Sequence, residues 1–325
     1  MNLSRRSLFA FSLAAGLGSL TTGALAQAPK EIRIDFATYN PVSLVLKEKG
    51  LLEKAFEKDG ITIRWVQTLG SNKALEFLNA SSIDFGSTAG SAALVAKING
   101  NPLKSIYVYS RPEWTALVTR SNTGITKVAD LKGKRVAVTR GTDPHIFLVR
   151  ALQEAGLTDK DVRFVLLQHP DGRLALDRGD VDAWAGLDPM MAAAEIESGD
   201  VLFYRKPEAN TWGILNVRED FAKKNPELVK RVLAVYEEAR RWSLANPQEV
   251  KKIFADFTKL APAVVDRQID TRTELTHSVI GEAQRESILA AGVALQSAGV
   301  IPANVDVKAA VDDLIDARYL TRATN

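Results

Sequence analysis

The sequence predicts an α/β protein built from two similar lobes. Between residues 32 and 216, short apolar runs of strand length alternate with segments of helix length, as in layered α/β folds with largely parallel strands. Residues 79–85 and 177–183 resemble each other, and each precedes a helix rich in small residues. After Asn216 the composition shifts to long helical stretches, and no further strand is predicted. We therefore expect two related α/β lobes and a helical C-terminal region.

Each predicted element rests on a local pattern. The strands are short runs rich in apolar and β-branched residues, bounded by polar or turn-forming residues. The helices carry apolar residues near helical spacing, as at Ile146, Val149 and Leu152. The predicted strands are 32–36, 61–66, 83–85, 105–109, 116–119, 135–138, 162–166, 181–184, 201–204 and 211–216. The predicted C-terminal helices are 226–245, 248–257, 263–272, 281–298 and 307–318.

Three helix starts combine a side-chain acceptor with a proline. Asn40-Pro41, Asp143-Pro144 and Asp188-Pro189 each place the acceptor at an expected N-cap and the proline at the first helical position. Gly156 and Gly199 are expected to follow the ends of the latter two helices. Because each start follows a predicted strand, we expect all three at the carboxyl ends of strands, where open α/β sheets place their ligand crevice.

The first 26 residues have the features of a signal peptide. Ser4-Arg5-Arg6 precedes an apolar run over residues 8–25, and Ala24-Leu25-Ala26 has the small-x-small form of a signal-peptidase site. Glycine, serine and threonine dilute this run below the apolarity of a membrane anchor. We therefore expect cleavage, a mature chain beginning at Gln27 and a periplasmic location. The paired arginines fit a twin-arginine signal, and the general secretory route stays open.

Composition excludes several classes of protein. The 325 residues are 46% hydrophobic and 25% charged, which is ordinary for a globular chain and argues against disorder. The net charge is +3, of which Arg5 and Arg6 supply two, so the rest lacks the basic face of a nucleic-acid binder. The absence of cysteine excludes disulfides, thiolate metal sites and an N-terminal lipid anchor. The three histidines are too far apart for a metal-ligand motif, so we expect neither metal nor cofactor.

The helix starts suggest a site for a small anion. Free backbone N–H groups and the positive end of the helix dipole attract anions at a helix N-terminus. The candidates are Ser71-Asn72, Thr88–Ser91 and Thr142-Asp143, although capping the helix alone would also account for any one of them. Asp188 is interpreted first as a cap, and His145 is placed one turn into its helix, where it can reach the cleft.

Aromatic and basic side chains near the expected cleft are candidates for ligand contact, and each also has a structural interpretation. Trp114, Trp184 and Trp212 are candidate walls for an alkyl chain, or core residues. Arg111 and Arg140 follow strands and either pair with the ligand charge or lie on the surface.

Four sequence strings carry a resemblance to a known family. They are residues 83–88 (IDFGST), 130–137 (DLKGKRVA), 150–157 (RALQEAGL) and 179–185 (GDVDAWA) followed by Asp188-Pro189. With these strings, the chain resembles the aliphatic-sulfonate-binding proteins of bacterial ABC importers, a group that includes taurine-, nitrate- and thiamine-precursor-binding relatives. The resemblance extends from about residue 32 to about residue 223, and more loosely to the C-terminus.

The resemblance implies a type II periplasmic binding fold, in which two lobes joined by two crossovers close on the ligand by a hinge. It places residues 28–113 and 212–325 in the first lobe and residues 114–211 in the second. It also implies that the protein is not an enzyme, that it acts as a monomer, and that it delivers a sulfonate to an ABC permease with its ATPase. Together with the helix starts, it selects as ligand-binding residues Tyr39, Asn40, Ser71, Asn72, Thr88, Ser91, Thr142, Asp143, His145, Asp188 and Trp212.

Several of these positions depart from the sulfonate pattern and leave other ligands open. Tyr39-Asn40 stands where small residues are common, Gly90-Ser91 where an acidic or bulkier pair occurs, and Gly186-Leu187 where an aromatic precedes the aspartate. The alternatives are taurine, nitrate, a thiamine precursor and an aromatic sulfonate or carboxylate. A periplasmic hydrolase is the alternative from another class, since Gly86-Ser87-Thr88-Ala89-Gly90 resembles a nucleophile elbow with threonine in place of serine.

Overall fold

The computed structural model describes residues 29–320, so the predicted signal peptide lies outside the described residues. The described chain contains eleven strands and thirteen α-helices. The strands are β1 (Glu31–Phe36), β2 (Thr62–Gln67), β3 (Phe85–Ala89), β4 (Leu103–Pro112), β5 (Leu117–Thr119), β6 (Arg135–Val138), β7 (Arg163–Leu166), β8 (Ala183–Ala185), β9 (Val201–Tyr204), β10 (Gly213–Arg218) and β11 (Thr273–Glu274). The helices are α1 (Pro41–Glu48), α2 (Leu51–Phe56), α3 (Ser71–Asn79), α4 (Gly90–Ile98), α5 (Asp143–Glu154), α6 (His169–Arg178), α7 (Met190–Glu197), α8 (Glu219–Lys224), α9 (Pro226–Ala245), α10 (Pro247–Thr258), α11 (Pro262–Arg272), α12 (Glu282–Ser297) and α13 (Val307–Leu314).

The strands form two separate mixed sheets. The six-stranded sheet has the order β11-β4-β10-β3-β1-β2, and the five-stranded sheet has the order β7-β6-β8-β5-β9. We call each sheet with its helices a lobe, the first lobe having six strands and the second five. The chain crosses from the first lobe to the second between β4 and β5, and returns between β9 and β10. The exact lobe boundaries inferred from the sequence stay a prediction.

The crossings explain why the sheets are mixed, whereas the sequence suggested largely parallel strands. β1 runs parallel to β2 and β3, and β6 runs parallel to β7 and β8. The entering strands β5 and β10 are antiparallel to both of their neighbours. Each enters its sheet at the end where the parallel strands finish, so it must run in the opposite direction.

Ten observed strands correspond to the predicted ones, and all but β6 and β9 have shifted bounds. The largest consequence is at β3, which covers Phe85–Ala89 instead of 83–85, so Thr88 lies in a strand and not at a helix start. β11 has two residues and was not predicted, because only its pairing with Arg111 and Pro112 of β4 makes it a strand. Helix α9 has the predicted bounds, whereas α13 ends at Leu314, before the predicted residue 318.

The predicted helix ends are confirmed, and the predicted starts only in part. Gly156 and Gly199 have φ of +72° and +68°, the left-handed conformation expected just after a helix. Asn40 is the N-cap of α1, since its Oδ1 accepts a 3.2 Å hydrogen bond from Ser43 N. Asp143 is the first residue of α5 and not its N-cap, because its carboxylate is bound by the other lobe.

Each lobe has its own hydrophobic packing. The first lobe has one large core, in which Ile32, Ile34 and Phe85 of the sheet are fully buried. The five-stranded sheet of the second lobe has a separate apolar cluster on each face. Leu117 belongs to one cluster and the neighbouring Val118 to the other. This alternation follows from the two-residue period of a strand. Among residues 29–320, no helix combines the length and the apolar character that crossing a bilayer would need.

Candidate ligand-binding site

A small cavity lies between the two lobes. Its volume is about 10 Å³, roughly the room of one water molecule. The residues that line it are Tyr39, Ser71, Trp114, Thr142, Asp143, Pro144, His169 and Leu187. A larger hollow of about 400 Å³ borders Lys104, Glu219 and Arg318, but it lies near the amino end of β4 and is lined by the first lobe alone.

The cavity lies at the carboxyl ends of the parallel strands of both sheets. Tyr39 follows β1 and Ser71 follows β2 in the first lobe. Thr142, His169 and Leu187 follow β6, β7 and β8 in the second lobe. The parallel strands of each sheet finish at the same edge, so the segments that follow them face the other lobe. This is where open α/β sheets place their ligand crevice.

Three helix N-termini meet at this cavity without a side-chain cap. They belong to α3, α5 and α6, which begin at Ser71, Asp143 and His169. The first N–H groups of a helix have no acceptor within the helix, and the helix dipole makes this end positive. Among the described residues, no Lys or Arg lines the cavity. An anion would therefore be attracted by backbone N–H groups and not by a charged side chain.

Asp143 fastens the two lobes together beside the cavity. Its Oδ1 accepts hydrogen bonds from Ser91 Oγ at 2.6 Å and Thr211 Oγ1 at 2.7 Å. Its Oδ2 accepts from Trp114 Nε1 at 2.8 Å and Thr211 N at 3.1 Å. Burial raises the pKa of Asp143, and these hydrogen bonds oppose the rise. With two bonds to each oxygen, the carboxylate is satisfied by the protein and requires no cationic ligand.

A second buried carboxylate, Asp35, is connected to the cavity-lining Tyr39 through Thr68. Asp35 accepts hydrogen bonds from Thr68 Oγ1, Ser87 N and Ser87 Oγ at 2.8–2.9 Å. The Tyr39 hydroxyl lies 2.9 Å from Thr68 Oγ1, and Asn40 Nδ2 donates to Ser87 Oγ at 2.8 Å. Burial raises the pKa of Asp35 to about 6. Asn40 is thus a buried part of this network, whereas Tyr39 reaches the cavity.

Asp188 belongs to a buried ion pair between the lobes. Its Oδ1 accepts from Ala192 N at 2.9 Å, as expected of a residue that caps a helix, and from Arg272 Nη1 at 3.1 Å. Arg272 is 2% exposed and also donates to Glu195 at 2.5 Å. Since Arg272 ends α11 in the first lobe and Glu195 lies on α7 in the second, this cluster crosses the interface. Asp188 does not line the cavity.

The remaining predicted residues fall into two groups. Asn72 and Ser91 make contacts between the lobes, since Asn72 Nδ2 lies 3.4 Å from Gln168 Oε1 and Ser91 binds Asp143. Thr88, His145 and Trp212 do not line the cavity. Thr88 is bound by Asn216 Nδ2 at 2.8 Å, the His145 ring packs on Phe164, and the Trp212 ring packs on His277. As ligand contacts, all of these stay predictions.

Neither candidate arginine reaches the cavity. Both Arg111 and Arg140 are exposed, and the Arg111 guanidinium lies 5.3 Å from the centre of the Trp212 ring. Burial and the nearby Arg140 lower the pKa of His145 to about 4, so this imidazole is neutral near pH 7. Within residues 29–320, no three His, Asp or Glu side chains converge in a way that would hold a metal ion.

Comparison with known proteins identifies the family. Residues 44–250 match the family model described as NMT1/THI5 like. This chain belongs to the NMT1/THI5-like family. Its relatives include a putative aliphatic sulfonates-binding protein of Escherichia coli (strain K12), which is 32% identical over 266 residues, 81% of this chain and 83% of that protein.

Solved structures of NMT1/THI5-like relatives agree with the fold. The alkanesulfonate-binding protein of Xanthomonas axonopodis pv. citri bound to MOPS has a TM-score of 0.81 and 26% identity, and the match covers 89% of this chain and 99% of that one. The periplasmic aliphatic sulphonate binding protein of Escherichia coli has a TM-score of 0.73 and 28% identity, with 86% and 91% covered. The predicted periplasmic binding fold and the predicted resemblance are thereby confirmed.

Sequence reasoning did not select four residues that line the cavity of this NMT1/THI5-like protein. Trp114 was considered as a wall, Pro144 and Leu187 were named only as neighbours of Asp143 and Asp188, and His169 was not considered for the site. For His169 a signal was available. His169-Pro170 follows a predicted strand, just as Asn40-Pro41 and Asp143-Pro144 do, and proline again occupies the beginning of the helix.

Proposed function

We propose that this protein is the solute-binding component of an ABC-type importer and that it captures an alkanesulfonate between its lobes. The observation that carries this proposal is a cavity lined by both lobes at the carboxyl ends of their strands, with Asp143 joining the lobes beside it. Closure of two lobes around a ligand is the ordinary mechanism of such folds. The named sulfonate-binding relatives support the same role.

The polar side of the cavity suits an oxyanion. The N-termini of α3, α5 and α6 supply unpaired N–H groups, and the Ser71 hydroxyl retains its proton for donation because its oxygen accepts from Ala89 N at 3.0 Å. A sulfonate oxygen accepts hydrogen bonds from such groups and brings no proton of its own. The absence of Lys and Arg from the described lining favours a singly charged ligand over a multiply charged one.

The apolar side of the cavity suits a short carbon chain. Trp114, Pro144 and Leu187 present apolar surface, and the Trp114 ring meets the Tyr39 ring edge-on at 6.0 Å between centres. The cavity volume of about 10 Å³ is far below the roughly 300–1,000 Å³ usual for ligand pockets, so the lobes must separate further to admit any ligand, and a short ligand requires the smallest separation.

The remaining parts of the proposal concern partners and location. Residues 1–26 direct export to the periplasm and are removed before Gln27, and the mature protein acts as a monomer that delivers its ligand to a permease with its ATPase. It performs no chemistry on the ligand. The Thr88 hydroxyl donates to the Ala89 carbonyl at 3.0 Å, and no described His or carboxylate is hydrogen-bonded to it as a nucleophile would require.

Ligand-induced thermal stabilisation tests the ligand class. Melting of the purified protein is compared with methanesulfonate, butanesulfonate, MOPS, taurine, nitrate, sulfate and benzoate, since a ligand that binds only the native state raises the melting temperature. We expect the largest shift with an alkanesulfonate. A shift with nitrate or benzoate alone would show that the protein binds that ligand in place of a sulfonate, and its role as a binding protein would stand. No shift with any sulfonate would refute sulfonates as the ligand class.

Three further measurements test the remaining parts. Intact mass of the exported protein should correspond to a chain that begins at Gln27. Replacing Arg5-Arg6 with two lysines should stop export by the twin-arginine route and leave the general secretory route unaffected. Light scattering should give the mass of one chain, and a dimer would contradict the monomer.

A further inference from the structure

His169 is a buried imidazole that the fold leaves without a partner. Its side chain is inaccessible to solvent, and no described residue forms a hydrogen bond with either ring nitrogen. A neutral imidazole always carries one N–H donor and one acceptor nitrogen. Buried polar groups in native proteins are nearly always hydrogen-bonded, so an exception that lines a cavity indicates a partner that occupies the cavity.

The surrounding structure holds this ring at the cavity. His169 is the first residue of α6, and α6 lies so close to the second sheet that a Cβ added to Gly172 would be 2.8 Å from Trp184 Nε1. On the other side, a Cβ added to Gly70 would be 3.1 Å from His169 Nε2. The imidazole of the second lobe therefore lies directly against the start of α3 in the first lobe.

A second unpaired atom lies over the same glycine. The Oδ1 atom of Asn72 is buried without a hydrogen-bond partner among the described residues, and it would be 2.9 Å from a Cβ at Gly70. Asn72 and His169 come from different lobes, so only the closed arrangement brings them together. Because an amide oxygen only accepts hydrogen bonds, Asn72 Oδ1 does not itself bind an oxyanion oxygen, and the donors at this place are His169 and the uncapped N-terminus of α3.

We propose that His169 is a ligand-contacting residue that donates a hydrogen bond from its imidazole to an oxyanion oxygen held over the N-terminus of α3. This inference rests on the proposed function and adds a contact from the second lobe to it. The ligand oxygen accepts from His169 on one side and from the first N–H groups of α3 on the other. Closure of the lobes thereby becomes more favourable when the anion is present.

The chemistry around His169 is consistent with a neutral donor. The titratable groups that line the cavity with it are Tyr39 and Asp143, and Asp143 is occupied by four hydrogen bonds from the protein. Burial lowers the pKa of His169 to about 3, so the imidazole is uncharged near pH 7. A neutral donor adds specificity for an acceptor oxygen without adding charge.

Calorimetric titration of the purified protein with butanesulfonate tests the proposal. His169→Phe keeps the volume of the ring and removes the donor, and we expect at least about tenfold weaker binding. His169→Gln keeps an N–H donor and should bind within about threefold of the unmodified protein. Asp180→Asn, at an exposed residue away from the cavity, is the control and should bind unchanged.

A spectroscopic measurement needs no substitution in the site. The chain has three histidines, so the nitrogen resonances of the His169 imidazole can be assigned by elimination with His145→Gln and His277→Gln. Binding of butanesulfonate should shift one ring nitrogen of His169. Melting of unliganded His169→Phe shows whether the variant folds.

The outcomes separate the two proposals. If neither butanesulfonate nor the other sulfonates bind to the unmodified protein, both proposals fail. If butanesulfonate binds but His169→Phe binds it within about twofold and the His169 resonances do not move, only the role of His169 fails. Weaker binding by the folded Phe variant, with recovery by Gln and a shifted ring nitrogen, supports it.

Discussion

The Ser91 hydroxyl donates a 2.6 Å hydrogen bond to the Asp143 carboxylate, and this bond joins residues 52 positions apart across the cleft. Ser91 lies in the first turn of α4 in the first lobe, and Asp143 begins α5 in the second. Thr211, in the segment that returns to the first lobe, binds the same carboxylate through both its N–H and its hydroxyl. The Asp143 side chain thus binds both α4 of the first lobe and the crossover between β9 and β10.

Replacing Asp143 with asparagine should weaken this junction. An asparagine amide has one acceptor oxygen, whereas the Asp143 carboxylate has two, each accepting two hydrogen bonds. The donors bound to the replaced oxygen would therefore lose their acceptor. We expect the free energy of unfolding to fall by about 2 kcal/mol. Urea denaturation measures this change, and Asp180→Asn, at an exposed aspartate, is the control. Equal midpoints for the Asp143 variant and the unmodified protein would contradict the role of the carboxylate.

Gly70→Ala should disturb the contact between the lobes by steric hindrance. The φ of Gly70 is 167°, an extended conformation that alanine adopts easily, so backbone strain is not the cause. The added Cβ would lie 2.9 Å from Asn72 Oδ1 and 3.1 Å from His169. We expect about 1–3 kcal/mol lower stability of the closed form, seen as a lower melting temperature and weaker ligand binding.

Gly281→Ala provides the comparison for this substitution. The nearest atom to a Cβ at Gly281 is Gln284 Oε1 at 3.9 Å, so the new methyl group has room. Melting temperature and ligand affinity should stay close to those of the unmodified protein. If Gly70→Ala behaves in the same way, His169 and Asn72 can move aside without cost, which would weaken the argument for a fixed contact.

The buried His169 should make the protein less stable in mild acid. Burial lowers its pKa to about 3 from the ordinary 6.5, so between these values the unfolded chain binds a proton that the folded chain does not. Stability is then lost as the pH falls through this window, by about 1.4 kcal/mol per pH unit. His169→Phe should remove this contribution.

Urea denaturation between about pH 7 and pH 5 checks the sign. The free energy of unfolding should fall by about 2 kcal/mol more in the unmodified protein than in His169→Phe. His145, whose pKa is also lowered by burial, is present in both proteins and cancels in the difference. Parallel pH profiles for the two proteins would show that His169 becomes protonated without unfolding.

Arg272→Met should destabilise the interface between α11 and α7. It leaves the buried Asp188 without its cation, whereas Glu195 keeps its pair with Arg267 at 2.8 Å, and breaking a buried ion pair on one side costs about 3–5 kcal/mol. Thermal and urea unfolding measure the loss. Adding Asp188→Asn should recover part of it, because the unpaired buried charge of Asp188 is removed.

Lys252→Met provides a control for the loss of a positive charge. Lys252 pairs with Asp256 on the surface of α10, and both side chains are well exposed. Exposed pairs of this kind contribute little because water and salt screen them. Unfolding should therefore be unchanged, and a comparable loss in both variants would point to net charge and not to the buried pair.

Much of the fold was predictable because its signals are local. The apolar run of β1, the cap of α1 by Asn40 and the glycines after α5 and α7 involve residues within a few positions of each other. The signals failed where a distant partner decides the structure. Thr88 became part of β3 through its pairing with Ile214, and Thr273–Glu274 became a strand through β4.

The candidate site was predictable in its location and less so in its members. The rule that crevices form at the carboxyl ends of strands selected Ser71, Thr142 and Asp143, the family resemblance added Tyr39, and all four line the cavity. The same rule selected Asp188 and Thr88, whose side chains are bound elsewhere. Strand order and spacing place a residue near the cleft but do not determine where its side chain points.

The sequence by itself determined the alternation of strands and helices, the family to which the chain belongs and the edge of each lobe where helices begin. Only the tertiary structure decided that Asp143 joins the lobes, that Asp188 pairs with Arg272, and that His169 lies unpaired against Gly70. Helix caps and strand patterns depend on neighbours along the chain. Contacts across the cleft depend on how two lobes meet, which no local pattern records.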